Sequence, residues 1–272
     1  MSNNISDYAI GVFDSGCGGL TAVKELNRIL PCENIIYFGD TARIPYGTRS
    51  RETVLRYAKQ DVAFLRKHQI KMVIAACGTV SSTVGNGTLC EDMPYTGVVI
   101  PASMKAAKIT KNKKVGVIGT AVTVKSQSFA KAIGELDSSI EVFSKACPMF
   151  VHLVENGYTD RNNKVTRLVA EEYLEPMKKT GVDTLIMGCT HFPIIKDIIQ
   201  DIMGDKVTLI NTGEEAALYA RKCLREKNML NNQDKKGKNV FYVSDSVELF
   251  TENVKNFLSD DMTGDVYQEV VS

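Results

Sequence analysis

Short apolar runs rich in valine and isoleucine alternate along this chain with longer stretches whose apolar positions recur at helical spacing. The runs cover residues 10–13, 34–38, 72–76, 96–100, 115–118, 140–144, 184–187, 207–210 and 240–243. Their apolarity is continuous rather than alternating, which predicts strands covered on both faces, as in a parallel sheet. Strands regularly separated by helical patterns predict βαβ units throughout. The clearest helix opens after Ser50, an N-cap residue, and aligns Val54, Tyr57, Ala58, Val62 and Leu65. Another is expected after Asp245, where Asp-x-x-Glu resembles a capping box, aligning Val247, Phe250, Val254 and Phe257. The polar, aperiodic segment 226–239 reads as an exposed loop before a last strand and helix.

One device occurs twice. The runs Met72-Val73-Ile74-Ala75-Ala76 and Thr184-Leu185-Ile186-Met187-Gly188 each end in a cysteine followed by small or hydroxyl-bearing residues, Cys77-Gly78-Thr79 and Cys189-Thr190-His191. A glycine-containing strand also recurs, with Gly11 in one copy and Gly116 in the other. Two similar halves would each place a thiol at the carboxyl end of a parallel strand, the edge where open α/β sheets bind ligands. Thiols facing each other across a cleft suit chemistry on both faces of one carbon.

Composition narrows the class. At 272 residues and 44% apolar, the chain has material for about two domains at roughly 150 residues each. With 33 basic against 32 acidic residues and no basic stripe, nucleic acid is not an expected partner. No apolar run approaches the roughly 18 residues of a membrane span, and the start has neither a basic segment nor a long apolar core. The expectation is a soluble cytoplasmic protein that does not engage membranes. Seven scattered cysteines do not form a disulfide framework. Cys17, Cys32, Cys90, Cys147 and Cys223 read as packing residues.

The chemistry concentrates elsewhere. Thiolate formation is favoured by donors at a strand-to-helix step, which both Cys77 and Cys189 occupy. In Asp14-Ser15-Gly16-Cys17-Gly18-Gly19, Asp14 would repel an anion, so it suits an ammonium group or else caps a helix at a glycine turn. Backbone N–H groups at Tyr46 and Gly47 could receive a carboxylate, or belong to a plain turn. His191 could tune Cys189 or act as a general acid, and Glu155, on an expected helix with His152, is a candidate partner for it. His68 is expected on an exposed helix without a role.

The segments FDSGCGGL, GDTARIPYG, IAACGTVSS, VGVIGTAVT, ACPMFVHLVENG and MGCTHFP together resemble glutamate racemases, the cofactor-independent amino-acid racemases of bacterial cell-wall synthesis. The resemblance implies an α/β fold of two similar domains, each a mainly parallel sheet flanked by helices, with the active site in the cleft between them. Residues 1–100 and 212–272 would form the first, discontinuous domain and 101–211 the second. It implies Cys77 and Cys189 as acid/base thiols, the first serving D-glutamate and the second L-glutamate, with Asp14, Glu155 and His191 auxiliary. Implied substrate contacts are Asp14, Ser15, Tyr46, Gly47, Gly78, Thr79, Thr190 and His191. It further implies glutamate as the small-molecule substrate, no cofactor, no metal, supply of D-glutamate for peptidoglycan, and a homodimer.

Two positions depart from the family pattern. Asparagine usually follows the first thiol, where this chain has Gly78, so a backbone group or water is expected to replace its amide. Gly78→Asn is then expected to recover roughly 1 kcal/mol, unless Gly78 is held at positive φ. The other departure, His152 in place of a common proline, is expected to concern packing near the cleft.

The expected reaction explains the residue types. An amino-acid α-proton is weakly acidic, and donors around the α-carboxylate in a dry cleft must offset the carbanion charge. A thiol, ordinarily near about 8.5, is close enough to neutrality to serve as base or acid after modest tuning. Aspartate or another small amino acid is an alternative substrate. A cysteine hydrolase using His191 as base, a two-lobed binding protein, and a zinc site formed by Cys77, Cys189 and His191 are alternatives of other classes.

Overall fold

The computed structural model describes residues 4–85, 88–257 and 264–271. Its strands are β1 (Ala9–Asp14), β2 (Ile35–Gly39), β3 (Ile70–Ala75), β4 (Tyr95–Gly97), β5 (Lys114–Gly119), β6 (Glu141–Ala146), β7 (Thr184–Met187), β8 (Thr208–Asn211), β9 (Asn239–Val243) and β10 (Asp265–Gln268). They form one sheet in the order β10-β9-β2-β1-β3-β4 and another in the order β6-β5-β7-β8, with every pairing among the described residues parallel. The helices are α1 (Leu20–Ile29), α2 (Arg51–Leu65), α3 (Gly78–Val84), α4 (Val99–Ile109), α5 (Ala121–Ser126), α6 (Ser128–Leu136), α7 (Pro148–Glu155), α8 (Lys164–Lys179), α9 (Lys196–Met203), α10 (Thr212–Glu226) and α11 (Val247–Phe257). None is long and apolar enough to cross a membrane.

The duplication is present in the hydrogen bonding itself. Order 2-1-3-4 in the first sheet matches 6-5-7-8 in the second. Gly11 pairs with Val73 across β1 and β3, and Gly116 pairs with Leu185 across β5 and β7. In each sheet the central strand is therefore flanked on one side by the strand leading to a thiol.

The chain makes its first sheet, crosses to the second, and returns through α10, whose Gly213 lies against Ala22 of α1. A Cβ at Gly213 would stand 3.0 Å from the Ala22 Cα, so the absence of a side chain permits this helix contact. One buried apolar cluster joins Ile10, Leu20, Leu26 and Ala217 to Leu185, Phe192 and Ile198, linking the two sheets through a shared core. Each such fully buried large side chain contributes on the order of 2 kcal/mol.

Several expectations are corrected by tertiary contacts. The expected strand 96–100 stops at Gly97, and Val99 already belongs to α4. The Val99 N–H donates to Ser81 Oγ of α3 at 3.0 Å, so a side chain distant in sequence caps this helix. Pro101 fits because it occupies the first turn, where an N–H has no helical partner. Ser246, not Asp245, starts α11: its hydroxyl accepts from the Leu249 N–H at 3.2 Å. Phe250 is buried as expected, whereas the Phe257 side chain lies outside the described residues. His68 lies in a turn after α2, against the rings of Phe64 and Tyr242. His152 is exposed on α7 instead of packing near the cleft. Strand β10 follows α11, so β9 is not the last strand. The helix expected after Ser50 forms as read, with Ser50 Oγ accepting from the Thr53 N–H at 3.3 Å.

Candidate active site

Both cysteines occupy the same structural position, the turn leaving the strand beside the central one. Cys77 follows β3 and is the N-cap of α3; Cys189 follows β7 and precedes a short 3-10 turn. They are 5% and 6% exposed, and all seven cysteines are free thiols. The turns meet at their glycines, since a Cβ placed on Gly78 would stand 2.1 Å from the Gly188 carbonyl oxygen. That contact lies one residue after the first thiol and one before the second.

The surroundings of the thiols differ. Cys77 Sγ donates to Ser15 Oγ at 3.5 Å. Burial, followed by the negative charge of Asp14, pushes Cys77 far above the ordinary thiol range, with the Ser15 hydroxyl and the Val80 N–H offsetting part of this. Asp14 ends β1, and one carboxylate oxygen accepts from the Gly19 N–H at 2.8 Å beside the start of α1. Asp14 thus does serve a glycine turn, one of the two roles expected of it. Its other oxygen, Oδ1, is buried without a partner among the described residues. Burial raises Asp14 above the usual carboxylate range, against the pull of the His191 charge and the Gly19 N–H.

Cys189 instead heads a relay. Its Sγ lies 3.7 Å from His191 Nδ1, and His191 Nε2 lies 3.2 Å from Glu155 Oε1 at the end of α7. Burial acts against a charged imidazole, but hydrogen bonds to Cys189 and Glu155 outweigh it and hold His191 up at about 10. The sequence reading paired Glu155 with His191, and the geometry brings them together. No group of three or more His, Cys, Asp or Glu among the described residues is placed to hold a metal ion, so the zinc alternative has no donor set.

Hydroxyl groups bridge the sheets around these thiols. Thr79 and Thr120 hydroxyls are 3.1 Å apart, and Thr21 Oγ1 donates to the Thr190 carbonyl at 2.9 Å. Thr120 was not singled out from the sequence. It occupies in the second copy the place of Ser15 in the first, because Gly116 is to Thr120 as Gly11 is to Ser15. Carrying the repeat one residue past β1 and β5 would have found it.

Gly47 sits beside Thr120, its would-be Cβ 3.1 Å from the threonine Cβ. The Tyr46 side chain enters a buried polar network. Its hydroxyl meets the carboxylates of Asp40 and of Asp61, the latter at 3.2 Å. Arg43 binds Asp40 at 2.5 Å and Asp61 at 2.9 Å, and Ser244 Oγ donates to Asp40 at 2.8 Å. The Tyr46 hydroxyl is thus engaged within the protein, which leaves its backbone N–H as the group that the sequence reading proposed for a carboxylate. Asp40 and Asp61 were missed because nothing local marks two acidic residues 21 apart as neighbours. A cavity of about 850 Å3 opens nearby between residues 47–51, the end of α3 and α5, but neither thiol lines it.

The Asp/Glu/Hydantoin racemase family matches residues 10–220. The glutamate racemase of Geobacter metallireducens is 43% identical over 263 residues, covering 96% of each chain. That of Listeria monocytogenes serotype 4a is 41% identical over 257 residues, covering 94% of this chain and 96% of its own. The crystal structure of glutamate racemase isoform RacE1 from Bacillus anthracis superposes with a TM-score of 0.90 at 35% identity, covering 98% of both chains. The Francisella tularensis enzyme, solved in complex with D-glutamate, superposes at 0.87 with 37% identity and the same coverage. The chain therefore belongs to the Asp/Glu/hydantoin racemase family and groups within it with the glutamate racemases.

Proposed function

We propose that the protein interconverts L-glutamate and D-glutamate, with Cys77 and Cys189 as acid and base on opposite faces of the α-carbon. The observation that carries this reading is the meeting of two equivalent strand ends, each one residue from a buried thiol. Residues 1–100 with 212–272, and 101–211, would be the two domains that close on the substrate.

The differing surroundings support a division of the work. Cys77 holds its proton tightly in the free protein, since burial and Asp14 both oppose a thiolate. A substrate ammonium accepted by the unpartnered Asp14 oxygen would bring positive charge beside Cys77 and draw its thiol toward the thiolate. Cys189 has a positive partner already in His191, which Glu155 steadies. In the L-to-D direction Cys189 takes the α-proton and Cys77 returns one to the other face; the D-to-L direction reverses the roles. Hydroxyls of Ser15, Thr79, Thr120 and Thr190 surround the reacting position and oppose the developing charge on the α-carboxylate. Backbone N–H groups at Tyr46 and Gly47 take the side-chain carboxylate.

The reaction is expected to need neither pyridoxal phosphate nor a metal, and chelator or hydroxylamine treatment should leave it intact. Polarimetry with each enantiomer tests the substrate. In D₂O, early product should carry deuterium at Cα while recovered substrate stays protiated. Retention of the original proton in the product would indicate a single base and defeat the two-thiol reading. Cys77→Ser and Cys189→Ser should each lose at least about a hundredfold in rate, since serine is a far weaker acid. A cytoplasmic homodimer supplying D-glutamate for peptidoglycan belongs to the same reading, and light scattering measures its mass.

A further inference from the structure

We infer that Gly78 is a positioning residue that sets the spacing of the two thiols, because only a residue without a side chain lets their turns touch backbone to backbone. The inference rests on the two-thiol reaction proposed above. Gly78 is the first residue of α3 and is not among the glycines at positive φ, so its backbone suits any residue. What excludes a side chain is the opposite turn. A Cβ would stand 2.1 Å from the Gly188 oxygen and 3.1 Å from the Gly188 carbonyl carbon.

The Gly188 carbonyl has little freedom to yield. Its N–H donates to the Ile118 carbonyl at 2.7 Å, and its own Cα faces that oxygen and the Phe129 ring. Carbon and oxygen without a conventional hydrogen bond ordinarily approach to about 3.3 Å, so a Cβ at 78 forces the turns roughly 1 Å apart. Beside the apolar core that the two sheets share, the hydrogen bonds that cross between them here include Thr79 with Thr120 and Thr21 with the Thr190 carbonyl. Gly18 makes a second close approach, its would-be Cβ 2.4 Å from Thr190 Oγ1 and 2.6 Å from His191 Cε1. Two such approaches side by side are relieved together when the turns separate along this seam, which widens the gap that a proton must cross on each side of the α-carbon. The asparagine found elsewhere in the family is incompatible with this approach, which overturns the expectation that Gly78→Asn would strengthen binding.

The test compares Gly78→Ala with wild type and with Gly134→Ala, whose Cβ meets nothing within 4 Å. A shift of about 1 Å in reacting groups costs on the order of a hundredfold. Gly78→Ala should lose that much in kcat/KM for both enantiomers, Gly78→Asn at least as much, and Gly134→Ala nothing. Iodoacetamide labelling of Cys77 and Cys189, followed by mass spectrometry, should be faster in Gly78→Ala than in wild type. Normal kcat/KM with faster labelling would overturn the spacing argument, and lost activity with unchanged labelling would replace opening by a local effect on Cys77. The labelling arm stands even if wild type fails to racemise glutamate, which would defeat the proposed function alone. Should Gly78→Ala not fold, Gly18→Ala tests the same seam by the same two measurements. There a smaller loss with faster labelling is expected, because its neighbours are side-chain atoms, and unchanged labelling overturns the inference.

Discussion

Replacing Tyr46 by phenylalanine removes one oxygen from a buried site and tests how the loop proposed to meet the substrate is held. Tyr46 is 1% exposed, and its ring packs on Tyr57 at 5.4 Å, a contact phenylalanine preserves. Its hydroxyl stands between two carboxylates that share one guanidinium, Arg43. Burial and the charge of Asp40 raise Asp61 well above the carboxylate range, against the pull of Arg43. Without the hydroxyl, Asp40 keeps Arg43 and Ser244, but the Asp61 oxygen that Tyr46 met has no other described partner. A buried acceptor left unpaired costs about 1–3 kcal/mol, so about 2 is expected. At about 2–4 °C per kcal/mol for a chain of this size, Tm should fall by about 4–8 °C. The loop also carries Gly47, so KM for glutamate should rise more than kcat falls, by at most about thirtyfold, the whole of 2 kcal/mol. Thermal denaturation and full kinetics on the same preparation check both effects. An unchanged Tm, or a fall in kcat alone, would refute the view that this network positions the loop.

Further outcomes are expected elsewhere. His191 is raised from 6.5 to about 10, so its contribution to stability is full below 6.5 and lost as pH rises through about 10; Tm should decline over that interval in wild type and less in His191→Asn. Glu155→Gln removes one of the groups that raise His191, so the basic limb of kcat/KM against pH should move downward, and an unmoved limb would remove Glu155 from the relay. Lys71, fully buried and paired with Glu33 at 2.5 Å, should cost about 3–5 kcal/mol when changed to Met, with part of it recovered in the double variant Lys71→Met, Glu33→Gln.

Where covalent neighbours decide the structure, the amino-acid pattern was legible. Continuous apolar runs became parallel strands, and the paired offsets of Cys77 with Cys189 and Gly11 with Gly116 reappeared as matched hydrogen-bond registers. Where the deciding partner is remote, it was not. Val99 looked like strand because the Ser81 hydroxyl that caps its helix comes from another element. Strand β10 carries no apolar run because it is an exposed edge. Asp40 and Asp61 are 21 residues apart, and only the fold brings them together, buried, around Arg43. Gly78 looked like a lost side-chain contact, and only the oxygen facing it turned that loss into a requirement.

Duplication accounts for the site and also for its inequality. A repeated βα turn delivers two thiols to one place at no further design cost, but a carbon with two different faces to protonate needs unequal neighbours. The copies diverge where that matters. The first central strand ends in Asp14, which opposes a thiolate at Cys77; the second ends in Gly119, which carries no charge. After the thiols, Thr79 of the first copy stands where the second has His191, which supplies the positive charge Cys77 lacks. One thiol therefore has its counter-charge built into the protein, while the other awaits the ammonium group of the substrate. In the reaction proposed above, burial and Asp14 would keep Cys77 protonated until an amino acid arrives. In the proposed reaction the ammonium group would act in both directions, since it would stabilise the Cys77 thiolate both as the base that takes a proton and as the species left when the thiol gives one.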